Sequence, residues 1–253
     1  MNSISVGALV FACTFGGALA GIWLRTVLPD YHLSDASKDT VKLGIGLIAT
    51  MTALVLGLVT ASAKSSFDDM AKAIKHTAAD ILALDRTLAR YGPETKEVRQ
   101  ALSDAVQQRL ELTWPEHSSQ TGELDQPGMR RGAEEVVDRI QDLSPQNNHQ
   151  RWLQSHALKL GEGLLSARWV MLSSVATSVP VPFLVILIFW LTSTFTSFGL
   201  FSPKNATVIA VFFVCALSVA SAIFLILEMD SPLQGVMKVS PDPLRYAYAR
   251  LNQ

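Results

Sequence analysis

A chain of 253 residues with 17% charged side chains and a formal net charge of −1 is short of charge, since soluble proteins of this size are about a quarter charged. Near-neutrality without clustered Lys and Arg excludes a nucleic-acid-binding footprint. The cysteines, Cys13 and Cys215, both fall in apolar stretches, which excludes a disulfide framework or a CxxC metal site; a free Cys there acts as a small buried hydrophobe.

The charge deficit is local. Of 43 charged residues, 30 lie between Lys64 and Arg168, while Met1 to Leu24, Leu43 to Ala63, Trp169 to Pro203 and Asn205 to Leu227 carry none. Each stretch is long enough to cross a bilayer core, which takes roughly 20 helical residues. The pattern predicts an all-α integral membrane protein with four transmembrane helices and a cytoplasmic helical domain between the second and third.

The first span is expected at residues 4–28. Ala18-Leu19-Ala20 before Gly21 has the look of a signal-peptidase site, but Met1-Asn2-Ser3 lacks the Lys or Arg of a signal peptide, so the span is expected to be retained. It carries a GxxxG match, Gly17 to Gly21, a pattern common where membrane helices approach closely. The second span, 43–63, has small or polar residues on one helical face: Gly46, Thr50, Ala53, Gly57, Ala61 and then Lys64. Ile48, Met51, Val55 and Val59 form the opposite face. Plain helix packing accounts for such a stripe. The sharper alternative is a pore lining, with Lys64 favouring anions at its mouth.

Residues 64–168 form the expected cytoplasmic helical domain. Phe67, Met70, Ile74, Ala78, Ile81, Leu84 and Leu88 recur at intervals of three and four and define one apolar helical face. Asp85 falls on that face, either at its rim or paired with a cation; the rim is the expectation. Gly92-Pro93 ends the helix. A second helix runs through Val98, Leu102, Val106 and Leu110 to Trp114-Pro115, a loop covers residues 115–130, and a short helix from about Arg131 to Leu143 stops at Ser144-Pro145. The last helix of the block, with Trp152, Leu153, Ala157, Leu160 and Leu164, continues toward the third span. These stripes read as packing faces between helices or subunits.

The third span is expected at 176–198, with Pro180 and Pro182 marking its start, since each removes a backbone donor. The fourth is expected at 206–228 and is followed by a cytoplasmic tail, 229–253. Glu228 and Asp230 sit at its C-terminal end, where the helix dipole disfavours negative charge. A solvated helix end is the default, and a cation site or an ion pair with the middle block is the alternative. Trp23 and Trp169 suit an interfacial aromatic belt, while Trp190 lies deeper and suits packing. Lys64, Lys72, Lys75, Arg151, Lys159, Arg168, Lys238, Arg245 and Arg250 lie on one side of this topology, against Arg25, Lys38, Lys42 and Lys204 on the other. The more basic side, with the middle block and both termini, is therefore expected in the cytoplasm.

No catalytic constellation emerges. His32, His76, His117, His149 and His156 lack HxxxH or HExxH spacing. Ser62, Ser65 and Ser66 lack the Gly-x-Ser-x-Gly turn. No Gly-rich loop leads into a helix with a phosphate-binding Lys. A non-enzyme without cofactor or metal is expected.

Leu56-Gly57-Leu58-Val59-Thr60-Ala61-Ser62-Ala63-Lys64-Ser65-Ser66-Phe67, Leu84-Asp85-Arg86, Phe189-Trp190-Leu191, Pro203-Lys204-Asn205-Ala206 and Glu228-Met229-Asp230-Ser231-Pro232-Leu233-Gln234-Gly235 together resemble the bestrophin-like membrane family of bacteria. The resemblance covers nearly the whole chain. It implies distant kinship with bestrophins: pentameric anion channels with four spans per subunit, a cytoplasmic helical domain between spans two and three, and a pore along the second span. Bestrophins line their neck with bulky apolar residues and follow the fourth span with an acidic calcium clasp. This chain has Ala53 and Gly57 in the neck region, and only Glu228 and Asp230 are similar to the clasp. The leading expectation is a homo-oligomeric protein of the bacterial inner membrane, surrounded by the lipid bilayer and conducting an ion, an anion foremost, along its second spans. The alternative is a membrane-anchored sensory or interaction module that binds a partner through its cytoplasmic helices. A coupled transporter ranks below both, since no ionisable residue lies deep in a span.

Overall fold

The computed structural model describes residues 2–29, 35–114, 127–175, 180–233 and 235–251. His32, His117, most of the expected loop 115–130 and the start of the expected third span, 176–179, lie outside the described residues. Among the described residues, regular structure is entirely helical: α1 (Ser3–Val27), α2 (Asp35–Tyr91), α3 (Lys96–Thr113), α4 (Pro127–Gln141), α5 (Asn148–Val175), α6 (Val181–Phe201), α7 (Ala206–Asp230) and α8 (Asp242–Arg250), with a 3-10 turn at Pro93–Thr95. Four of these, α1, α2, α6 and α7, contain stretches long and apolar enough to cross a membrane. The chain forms two compact units, one of residues 1–66 and 178–231, the other of residues 67–177 and 232–253.

In the first unit α1 packs against α6 and α7. Gly17, Gly21 and Gly199 make the approach of α1 to α6 possible. A Cβ on Gly21 would fall on the carbonyl oxygen of Thr196, one on Gly199 would fall on that of Ala18, and one on Gly17 would lie 2.8 Å from Thr196 Oγ1. The GxxxG pattern is thus a backbone-to-backbone contact, and its partner glycine is on the third apolar helix. Further along, Phe213 of α7 meets Phe11 and Phe15 of α1 edge-on, with ring centroids 5.3 and 5.6 Å apart. Two buried hydroxyls of this apolar unit bond back to their own helix: Thr14 donates to Val10 O at 2.8 Å and Thr194 to Trp190 O at 2.9 Å. Pro180 caps α6 and Pro182 occupies its first turn, where a missing N–H costs nothing. Asn205 caps α7, its side chain accepting from Val208 N at 2.8 Å.

The second unit is built around the distal half of α2. Met70, Ile74, Ile81, Leu84 and Leu88 are buried with Val98, Leu102 and Val106 of α3, Val136 and Ile140 of α4 and Ala157 of α5. The apolar stretch 43–63 and the stripe that begins at Phe67 lie on one helix: α2 runs unbroken from Asp35 to Tyr91, because Ala61 to Phe67 contains no Gly or Pro to stop it. Gly92, at φ 141°, then reverses the chain, a conformation that favours glycine. Thr95 Oγ1 donates to the carbonyls of Leu88 and Gly92, at 2.7 and 2.8 Å.

That reversal lays α3 along α2 and corrects the rim expectation for Asp85. Asp85 is 1% exposed, and its carboxylate accepts from Arg99 Nε at 2.7 Å and Nη2 at 3.0 Å. Donating these hydrogen bonds to Asp85 holds the Arg99 guanidinium above its ordinary pKa, so Arg99 stays charged. Residues after α7 also belong to this core. Leu233, Val239, Leu244, Ala247 and Leu251 are buried in it, Trp114 Nε1 donates to Val239 O at 3.0 Å, and Tyr248 Oη donates to Gln107 at 3.0 Å. α4 begins at Pro127, earlier than the expected Arg131.

Tyr91 ends α2 with its hydroxyl buried and without a hydrogen-bond partner. Burial foremost, and then Glu94, pushes its phenol above the usual pKa. Once pH passes about 10, where an unfolded tyrosine ionises, the unfolded chain has lost a proton that the folded chain keeps. Stability conferred by this group is present below that pH and is lost as pH rises through the higher folded pKa. Replacing Tyr91 by Phe removes an unsatisfied group and is expected to be neutral or to stabilise by about 1 kcal/mol. Thermal unfolding of the detergent-solubilised protein checks this, and the variant should soften the alkaline loss.

Candidate functional site

The apolar part of α2 is the least covered of the four membrane-length helices. Its most apolar window is 6% buried, against 39% in α1 and in α6 and 22% in α7. One side of it packs inward: Thr52 and Ala63 are buried, and Leu56 sits against the cluster of Val6, Val10, Leu184 and Ile223.

Gly46, Thr50, Ala53, Gly57, Ala61 and Lys64 are all exposed and lie on another side. Their steps of three and four residues keep them on one face over about 27 Å of helix. A Cβ on Gly46 or Gly57 would meet nothing within 4 Å, so these glycines are not required by packing within the chain. Thr50 Oγ1 donates to Gly46 O at 2.8 Å and Thr60 Oγ1 to Leu56 O at 2.7 Å. With their protons committed to the helix, these exposed side chains present a lone pair and a methyl group outward. Lys64 ends the stripe and takes part in a polar interaction of its own.

Beside the small face, less than a quarter-turn away around the helix, runs a ridge that sequence reading missed. Leu43 and Leu58 are 78% and 64% exposed, and Leu47 and Leu54 lie between them, equally bare. The signal was present in the four- and seven-residue spacing of the leucines, but in a membrane span it does not stand out from the surrounding apolar residues. α2 therefore presents two adjoining strips, one of small residues and one of large ones.

Glu228 and Asp230 close α7. The default of a solvated end is corrected for Glu228, which is 3% exposed. The chain does not run out into solvent after it but turns through Ser231 to the buried Leu233. Asp230 is half-buried, and both acids have interaction partners. Among the described residues, no group of three or more His, Cys, Asp or Glu is gathered as a metal would need. His156 stacks on Trp152 with ring centroids 5.3 Å apart.

The sequence profile of the Bestrophin-like domain matches residues 12–244, nearly the whole chain and both ends of the stripe. The chain belongs to the Bestrophin-like domain family. Among solved structures, a mutated bacterial bestrophin homolog from Klebsiella pneumoniae is similar over 100% of both chains, with a TM-score of 0.64 and 16% sequence identity. That likeness gives the Bestrophin-like chain the same all-helical fold. None of the functionally curated proteins matches it. Family membership and the four apolar helices together make this Bestrophin-like chain a membrane protein.

Proposed function

We propose that this protein is a homo-oligomeric channel of the bacterial inner membrane, in which the α2 helices of several copies surround a path for ions, anions foremost. The observation that carries this reading is the bare small-residue face of α2, from Gly46 to Ala61, beside an equally bare leucine ridge. Several copies would satisfy both strips, with leucines between neighbours and small residues toward the axis. Small side chains and satisfied Thr hydroxyls leave a narrow conduit of low polarity, and Lys64 adds positive charge at one mouth. The spans occupy residues 4–28, 43–63, 176–198 and 206–228. The domain 64–168, the tail 229–253 and both termini lie in the cytoplasm, where the excess of Lys and Arg puts them.

Planar-bilayer recording of the purified protein tests this. Gly57→Phe is expected to cut single-channel conductance at least tenfold, and Lys64→Glu to shift the permeability ratio away from chloride. Silence of the unmodified protein, or a Gly57→Phe channel that conducts as before, would sink the proposal.

A further inference from the structure

The second unit carries two exposed surfaces of opposite character. On α5, Trp152 is 61% exposed and is held flat against His156, the ring planes 9° apart. Arg151, Ser155 and Lys159 are exposed and lie along one side of the stack, Lys159 nearest to it around the helix and Arg151 about 100° from Trp152. A pre-ordered Trp flanked by cations loses little freedom on docking and is the residue type that anchors interfaces. On α3 and α4 a groove of about 670 Å³ has a floor of Ala101, Ala105 and Gly132 and a rim carrying Glu97, Asp104 and Glu135 against a single Arg139. Arg139 bonds Glu135 at 2.7 Å and approaches Glu97 at 4.0 Å, which leaves the groove net acidic.

The two surfaces look in different directions. Gln154 faces α4, donating to the carbonyls of Ile140 and Leu143 at 3.0 and 2.8 Å. Trp152, two residues earlier, lies about 160° around α5 from that side. One copy therefore cannot fold its own Trp152 into its own groove, whereas a neighbour in a closed ring can. Rings are made by heterologous contacts, in which two different patches meet at every junction.

We infer that the Trp152–His156 face of one copy docks in the α3–α4 groove of the next, with Arg151 and Lys159 against its acidic rim. This rests on the homo-oligomeric reading and adds to it the direction and chemistry of the contact between the second units.

Cysteine pairs in the full-length protein in lipid nanodiscs test it, on a background with Cys13→Ala and Cys215→Ala. With Ser155→Cys and Gln100→Cys together, a bismaleimide should give a ladder of covalent oligomers on a denaturing gel. Either cysteine alone should leave monomers. Adding Lys159→Glu should lower the ladder yield severalfold, and Asp104→Lys on top of it should bring the yield back. Native mass spectrometry of the same preparations separates the two ideas. An intact oligomer without a ladder, or a dimer from Ser155→Cys alone, overturns this contact and leaves the oligomeric channel standing; a monomer overturns both.

Discussion

Removing either member of the Asp85–Arg99 pair is expected to cost about 3–5 kcal/mol, because it strands a charge in a protein core. Asp85 is essentially sealed from solvent, and both its oxygens are engaged by one guanidinium. Asp85→Asn would leave Arg99 charged, since its side chain does not deprotonate in a protein. Arg99→Met would leave the carboxylate among Leu84, Leu88 and Leu102, all buried nearby on the two helices, where a charge without a partner is costly. On heating the detergent-solubilised full chain, each single variant should unfold roughly 10 °C or more below the parent. The double variant Asp85→Leu with Arg99→Met should regain most of that loss, because two apolar groups of similar volume need no pairing. Single variants within a degree of the parent, or a double variant no better than the singles, would mean that the pair does not hold α3 on α2.

That pair also marks where sequence reading ends. The four apolar stretches, the core stripe from Phe67 to Leu88 and the proline start of α6 were legible because each is a local pattern whose period or backbone chemistry fixes the outcome. Asp85 was visibly on the core face, but its partner is 14 residues away across the Gly92 reversal, and no local signal says that Arg99 will lie opposite. Glu228 is similar: its place at a helix end was plain, while its burial is a tertiary property that no local pattern carries. The tail read as a separate segment because its buried residues, Val239, Leu244 and Leu251, are short of a long stripe. At the candidate site the small face of α2 was legible from residue size alone. Its exposure was not, since a stripe of Gly and Ala reads the same whether another helix covers it or nothing does.

The α1–α6 crossing gives the second large effect. Gly21 and Gly199 each face backbone across the crossing, the carbonyls of Thr196 and Ala18 respectively. A methyl group at either position cannot be accommodated by a rotamer change, because a carbonyl inside a helix cannot move alone; the two helices would have to separate. Separation loosens the cluster in which Ala18, Ile22, Phe195, Phe212 and Ala216 are buried, and in lipid that close packing is what holds helices together. Gly21→Ala is therefore expected to cost about 1–3 kcal/mol. Gly21→Leu or Gly199→Leu should leave little monodisperse protein after extraction. Gly16 is the control, since a Cβ there meets nothing within 4 Å, and Gly16→Leu should behave as the parent in both thermal unfolding and gel filtration. Equal losses at Gly16 and Gly21 would show that the chain merely resists bulk in this span, whereas loss at Gly21 alone ties it to contact between the two backbones.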